Sequence, residues 1–222
     1  MIGNTHRSKF WAEELAWRAK LKEDSAVLVL GSEEDSYIAL FTKHGLVALA
    51  SGAFEAFTRG NQQLPHADGL FKCVFIPYAW HEFQDRDRVA AECYRVLKYD
   101  GKIFILTQSH EQLRRKPLFK FFPEALDRQI SLYASIPHLT AVLEKVGFKS
   151  IETSSYYWVG SVKPSEYIDA AERNLCPELT VLPEEVTRRG IERLRVHIAR
   201  RGNKPFVDDD ASTLVVGKRE NT

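Results

Sequence analysis

The chain has 222 residues, of which 44% are hydrophobic and 27% are charged, so a single globular domain with a real core is predicted, with room for a small appended cap. Its 31 basic and 30 acidic residues give a net charge of +1, which argues against a general attraction to nucleic acids or membranes. The expected partners are therefore small molecules or proteins.

Targeting and redox features are sparse. No apolar run reaches the roughly 18 residues of a membrane span, and residues 1–8 lack an apolar signal segment, so the cytoplasm is the expected compartment. Cys73, Cys93 and Cys176 are odd in number and widely spaced. This spacing predicts neither a disulfide framework nor a metal site, and the first two are expected to pack as small apolar side chains.

The first half of the chain begins with a predicted helix over 8–21. A short apolar run over 26–30 then leads into Gly31 and a second helix over 35–43. This order of strand, glycine turn and helix is typical of the first unit of a doubly wound sheet, where a nucleotide-type cofactor usually binds. A second buried strand is expected over 46–50.

The segment 53–60 is unusual for an α/β chain. A parallel crossover needs a dozen or more residues, and too few precede this segment to form a crossover helix. Either it is a short helix and a third strand is missing, which we favour, or it forms an irregular connection.

The remaining pattern alternates strands with helices. Strands are predicted over 71–78, 102–107, 149–159 and 213–217, helices over 85–98, 137–146, 165–175 and 184–201, and a helical or irregular lid over 108–136. A helical insertion before the final strand indicates a mixed α/β sheet whose last strand runs antiparallel. The predicted domains are a core of 1–160 with 211–222 and a helical cap of 161–210.

Four strings carry a family resemblance: Leu64-Pro65 with Asp68-Gly69 and Phe71, then Tyr78 to Phe83, then Arg95 to Lys98 with Asp100-Gly101, and finally Val142 to Phe148. Their order and spacing resemble the class I S-adenosylmethionine-dependent methyltransferases, in particular the branch related to ubiquinone and menaquinone methylation. The resemblance implies a Rossmann-like sheet flanked by helices, S-adenosylmethionine as cofactor, and a small apolar or aromatic methyl acceptor.

The resemblance also assigns site residues. It implies that the cofactor contacts Gly31, Ser32, Ala50, Asn61, Gln62 and Tyr78. His81 is placed at a strand end, where it could act as general base, and a packing role is an equal alternative. Aromatic residues of the lid and of the strand over 149–159 are predicted to line a substrate pocket, with core packing as the alternative; they are Phe119, Phe122, Tyr156 and Trp158.

The turn after the first strand departs from the family pattern. It keeps one glycine, Gly31, and carries three carboxylates, Glu33, Glu34 and Asp35, where the family has further glycines. Two like charges about 4 Å apart cost on the order of 4 kcal/mol at an effective dielectric near 20, so these acids would oppose the carboxylate of the cofactor. Solvated acids that favour the first turn of a helix are the alternative.

The residue that holds the ribose in the family falls on Ala50 or Ser51, neither of which accepts two hydrogen bonds as a carboxylate does. The cofactor site is therefore interpreted as degenerate. Three hypotheses stay open: an active methyltransferase, a noncatalytic subunit or regulator of a partner enzyme that kept the fold, and an enzyme repurposed for a reaction without a methyl donor. The helix over 184–201 carries several arginines, which are expected to form a solvated face; a binding surface for RNA or an acidic protein is the less favoured alternative.

Overall fold

The computed structural model describes residues 3–31, 34–43, 46–50 and 63–220. The helices of this part are α1 (Gly3–Arg18), α2 (Glu34–Lys43), α3 (Arg86–Val96), α4 (His110–Arg115), α5 (Pro123–Leu132), α6 (Ile136–Val146), α7 (Pro164–Glu172), α8 (Pro177–Thr180) and α9 (Glu184–Arg201), with 3-10 turns at Trp80–Glu82 and Pro117–Lys120. Among the described helices, none has both the length and the apolar character needed to cross a bilayer.

The strands are β1 (Ala26–Val29), β2 (Val47–Ala50), β3 (Phe71–Pro77), β4 (Leu97–Thr107), β5 (Lys149–Trp158), β6 (Ser161–Val162), β7 (Phe206–Val207) and β8 (Asp210–Lys218). Six of them form one sheet in the order β2-β1-β3-β4-β8-β5, and β6 pairs with β7. Strands β2, β1, β3 and β4 are parallel to one another, whereas β8 runs antiparallel to β4. The predicted mixed α/β sheet with an antiparallel last strand is confirmed. The prediction for 53–60 lies outside the described residues.

Strands β1 and β3 are interior neighbours in the sheet, and nearly every side chain in them is apolar. Val27, Leu28 and Val29 are fully buried, as are Cys73 and Val74 on the neighbouring strand. Central parallel strands are covered on both faces and therefore show continuous apolar runs. Cys73 is a free thiol, as predicted, and burial raises its pKa above the ordinary value.

The loop before β3 is fastened by Arg95, which lies near the end of α3. Its guanidinium donates to both carboxylate oxygens of Glu92 at 2.9 and 2.8 Å and to Asp68 at 2.6 Å. It also donates to the carbonyl oxygens of Leu64 and His66 at 3.1 and 2.8 Å. These bonds explain physically why the strings around Leu64 and Arg95 occur together, since the second string holds the first in place.

The chain divides into two compact units. The first comprises 1–107, 135–154 and 213–222, and contains most of the large sheet; the second comprises 108–134 and 155–212. The second unit is larger than the predicted cap of 161–210, because the segment 108–134 packs its aromatic side chains with the cap helices. Its buried core consists of Leu113, Leu118, Phe119, Phe121, Phe122, Ala125, Tyr167, Ala171, Leu179 and Leu194.

Candidate functional site

The carboxyl ends of β1 and β3 lie side by side in the first unit. The backbone N–H of Leu30 donates to the carbonyl of Phe75 at 2.9 Å, and Gly31 follows directly. A Cβ atom added at Gly31 would lie 3.0 Å from the Cβ of Ala79. Because real Cβ atoms rarely approach so closely, a glycine is needed where these two strand ends meet.

The chain turns sharply at Tyr78, immediately after β3. This residue has a φ of +52°, a conformation that costs non-glycine residues of order 1–3 kcal/mol. Its N–H donates to the carbonyl of Leu106 at 2.8 Å, which holds the strained turn against the end of β4. The turn directs the chain into the 3-10 segment that carries Trp80 and His81.

Trp80 places an indole N–H at this strand end. The residue is 2% exposed, its ring centroid lies 6.2 Å from that of Phe83, and its Nε1 has no hydrogen-bond partner in the part of the chain that the structure describes. A buried donor without an acceptor costs roughly 1–3 kcal/mol. Such an orphaned donor fits a bound ligand that carries a hydrogen-bond acceptor.

His81 is half-buried in the same 3-10 segment. Burial lowers its pKa below the ordinary value, and the nearby positive charge of Arg86 lowers it further, while a hydrogen bond with the Tyr78 backbone acts in the opposite direction. Arg86 also donates to the carbonyls of Trp80 and His81 at 3.2 and 3.3 Å. The imidazole is therefore neutral near pH 7 and chemically able to accept a proton.

Arg86 and Trp80 are absent from the set of site residues predicted from the sequence. Trp80 stands directly before His81 in the matched string, and Arg86 is the first residue of α3. A basic residue at that position was a readable signal, because it can reach back to the carbonyls of the preceding turn.

Several predicted cofactor residues lie outside the described residues. They are Ser32, Asn61 and Gln62, together with the side chain of Ala50. Glu33 also falls outside, and the side chains of Glu34 and Asp35 are not described, so the degenerate turn remains an interpretation of the sequence. Of the predicted cofactor set, Gly31 and Tyr78 occur at the adjoining strand ends of the first unit.

The predicted pocket residues belong to the second unit. Phe119 and Phe122 are 3% and 0% exposed and form part of that unit's core. Tyr156 and Trp158 are half-buried on β5, and their rings stack with centroids 6.3 Å apart and an interplanar angle of 18°. The two phenylalanines thus have a packing role, and a stacked aromatic surface is available on β5.

Three of the six arginines of α9 form ion pairs within the second unit. Arg193 donates to the carbonyl of Phe121 at 2.8 Å and lies 3.6 Å from Glu124, and Arg195 pairs with Glu172 at 3.0 Å. These ion pairs are exposed and use part of the positive charge of the helix. Over the described ranges, no group of three or more His, Cys, Asp or Glu side chains is placed to hold a metal ion.

Comparison with known proteins bears on this strand-end site. Residues 42–105 match a family model described as a methyltransferase domain. The demethylmenaquinone methyltransferase of Lactobacillus johnsonii is 34% identical over 40% of this chain and 43% of its own length. The matched part therefore spans less than half of that relative.

Solved structures extend the likeness to the whole fold. A candidate methyltransferase from an antibiotic biosynthesis pathway of Anabaena variabilis is 15% identical with a TM-score of 0.69, covering 94% of this chain and 96% of that one. A phosphoethanolamine N-methyltransferase of Haemonchus contortus, solved with phosphomonomethylethanolamine and S-adenosylhomocysteine, is 15% identical with a TM-score of 0.52, covering 95% of this chain and 53% of that one.

Sheet order, strand-end geometry and the matched domain define a class I S-adenosylmethionine-dependent methyltransferase fold. Residues 42–105 of the chain are similar to a methyltransferase domain, and the sequence relative reported above is named a demethylmenaquinone methyltransferase.

Proposed function

We propose that this chain is an S-adenosylmethionine-dependent methyltransferase whose acceptor is a small apolar or aromatic molecule of the quinol kind. The observation that carries the proposal is the meeting of Gly31 and Ala79 at the carboxyl ends of β1 and β3. In doubly wound sheets, ligands bind beyond the carboxyl ends of the strands. The name of the Lactobacillus johnsonii relative supports a quinone-type acceptor.

When bound, S-adenosylmethionine supplies an electrophilic methyl group. Gly31 and Tyr78 would hold it through their backbone at the strand ends, and the indole N–H of Trp80 would donate to one of its acceptors. Ser32, Ala50, Asn61 and Gln62 are proposed as further contacts from the sequence. The complex solved for the Haemonchus contortus protein supports this choice of cofactor class.

His81 is the proposed general base. An acceptor that gains a methyl group at a ring carbon or hydroxyl must lose a proton, and a neutral imidazole can take it. The half-buried position of His81 and the adjacent charge of Arg86 both favour the neutral form. A sequence-based proposal for Tyr156 and Trp158, the stacked aromatic pair of the second unit, is that they offer an aromatic surface to a small molecule.

The first test is a calorimetric titration of the folded protein with S-adenosylmethionine and with S-adenosylhomocysteine. The proposal expects saturable binding of both. A flat titration at millimolar cofactor would reject it in favour of a noncatalytic protein that kept the fold.

The second test measures transfer of a labelled methyl group to a reduced naphthoquinone that lacks its ring methyl. The His81→Gln variant should lower kcat roughly a hundredfold with little change in cofactor affinity. His138→Gln is the matched control, since His138 is exposed on α6 in the same unit. An equal loss of kcat in both variants would mean that His81 is not the general base.

A further inference from the structure

A charged cavity of about 490 Å³ lies in the first unit at the amino ends of the parallel strands. Lys72 is the second residue of β3, and Lys102 pairs with Cys73 where β3 and β4 come into register. This edge of the sheet is opposite the strand ends that carry Gly31 and Tyr78. The described side chains that line the cavity include five basic residues, Arg18, Lys20, Lys72, Lys102 and Lys218, and three acidic ones, Asp100, Glu152 and Glu220.

Two of the basic residues have carboxylate partners. Lys218 lies 2.9 Å from Asp100, and Arg18 lies 2.8 Å from Glu14. Among the described residues, the ammonium groups of Lys20, Lys72 and Lys102 have no carboxylate oxygen within 4.0 Å.

Backbone carbonyls position two of these three ammonium groups. Lys72 donates to the carbonyl of Asp100 at 3.1 Å, and Lys102 donates to the carbonyl of Arg18 at 2.8 Å. A carbonyl oxygen fixes the direction of an ammonium group without cancelling its charge. The cavity therefore presents oriented positive charges with unused donor capacity, because each ammonium group has three N–H donors.

Like charges also face each other in the sheet. Lys102 is directly opposite Lys218 in the antiparallel ladder of β4 and β8, an arrangement that destabilises a strand pair. Burial lowers the pKa of Lys102, Glu152 opposes that effect, and the charge of Lys218 adds to it. A bound anion would relieve this repulsion.

A second cavity of about 610 Å³ shares Arg18, Lys20, Lys102 and Glu152 with the first. It adds an apolar side formed by Ala16, Trp17 and Leu21. Trp17 is 74% exposed, so the face of its indole is accessible to a planar ring. Positive charge and an exposed aromatic surface thus lie side by side in the same unit.

We propose that this edge of the sheet binds an organic diphosphate of the nucleotide kind, with its phosphates on Lys20, Lys72 and Lys102 and its ring on Trp17. The charged cavity falls in the range of about 300–1,000 Å³ that is usual for sites of small organic ligands, which favours a diphosphate over a single phosphate ion. The site is separate from the proposed methyltransferase site and does not depend on it.

The test is a calorimetric titration of the full chain with ADP and with inorganic pyrophosphate at low salt. The variants are Lys20→Ser with Lys72→Ser, and Trp17→Ala, each checked for unchanged unfolding. Both ligands should bind the natural chain, and the double lysine variant should bind both about tenfold or more weakly. Trp17→Ala should weaken ADP by about fivefold or more and leave pyrophosphate unchanged.

Lys145→Ser is the matched control, because Lys145 is an exposed lysine of the same unit that pairs with Asp87 outside the cavity. Absence of binding by the natural chain at millimolar ligand would overturn the proposal. So would an equal loss in the control, or binding that persists unchanged in the double lysine variant. Binding to anionic phospholipid vesicles with no binding of either soluble ligand would overturn it in favour of a lipid surface.

Discussion

Gly190 and Phe122 are in direct contact within the second unit, and the contact leaves no room for a side chain at residue 190. A Cβ atom built on Gly190 would lie 2.0 Å from Cε1 of Phe122. Phe122 is fully buried, and Gly190 lies inside α9, where a glycine would otherwise weaken the helix. The glycine therefore serves the packing of α9 on the segment 108–134.

Gly190→Ala should destabilise the protein by about 1–3 kcal/mol, because the methyl group overpacks the core. In an open helix the same substitution would stabilise by about 1 kcal/mol, so the sign of the effect tests the contact. The measurement is the free energy of unfolding from denaturant titration. In a Phe122→Leu background the cost should shrink, and an unchanged cost there would contradict the proposed clash.

The same contact shows what the sequence could not decide about the aromatic lid. Phe119 and Phe122 have the composition expected of an apolar pocket and of a core, since both environments favour aromatic side chains. Only the position of α9 distinguishes them, and that position depends on residues about 70 further along the chain. The glycine in the middle of a predicted helix was the local signal of close packing.

The strands were predictable because buried apolar runs are a local property. β1, β2 and β3 match their predicted ranges within about one residue, whereas β4 begins at Leu97 instead of 102. Residues 98–100, which follow Leu97, are exposed, and their strand conformation comes from backbone pairing, for example the N–H of Asp100 donating to the carbonyl of Arg219 at 2.8 Å. The pattern of apolar and polar side chains in the sequence does not predict such long-range backbone hydrogen bonds.

Arg95→Met should lower the free energy of unfolding by roughly 2–3 kcal/mol, because it leaves Glu92 partly buried without its cation and frees the loop at Leu64. Denaturant titration at neutral pH measures this. Lys145→Met is the control, since it breaks an exposed pair with Asp87 and should cost less than about 1 kcal/mol. Equal costs for the two variants would show that the Arg95 contacts contribute little.

The Glu92 carboxylate should make the stability of the protein depend on pH in the acid range. Burial acts to raise its pKa, but hydrogen bonds from Arg95 and from the N–H of Leu64 hold the pKa below the ordinary value of 4.5. A lowered folded-state pKa gives stability that is present above pH 4.5 and is lost as the pH falls through the folded value. The free energies of unfolding of the natural chain and of Glu92→Gln should converge as the pH is lowered from 7 to 3. A difference between them that stays constant over this range would contradict the prediction.

The carboxylates of the first turn should weaken cofactor binding. Glu33 and Glu34 stand where the family has glycine-rich backbone, so Glu33→Gln with Glu34→Gln should tighten S-adenosylmethionine affinity by about tenfold or more at low salt. S-adenosylhomocysteine carries the same carboxylate and should gain similarly. Glu144→Gln, on α6, is the control. Unchanged affinity in the double variant would mean that these carboxylates are solvated and do not repel the carboxylate of the cofactor.

The positive charge of Arg86 should help to determine the pH at which the methyl-transfer rate falls on the acid side of its pH profile. A general base works in its neutral form, so kcat/KM should fall as the pH drops through the pKa of His81, which burial and Arg86 lower below the ordinary value of 6.5. Arg86→Gln removes that charge and should shift the limb to higher pH, whereas Arg86→Lys should leave it low. The profile is measured from pH 5 to pH 9 at saturating cofactor. Removing the Arg86 charge must change the pKa of His81 whichever methyl acceptor is used. If the acid limb stays in place in Arg86→Gln, or persists in His81→Gln, a group other than His81 titrates.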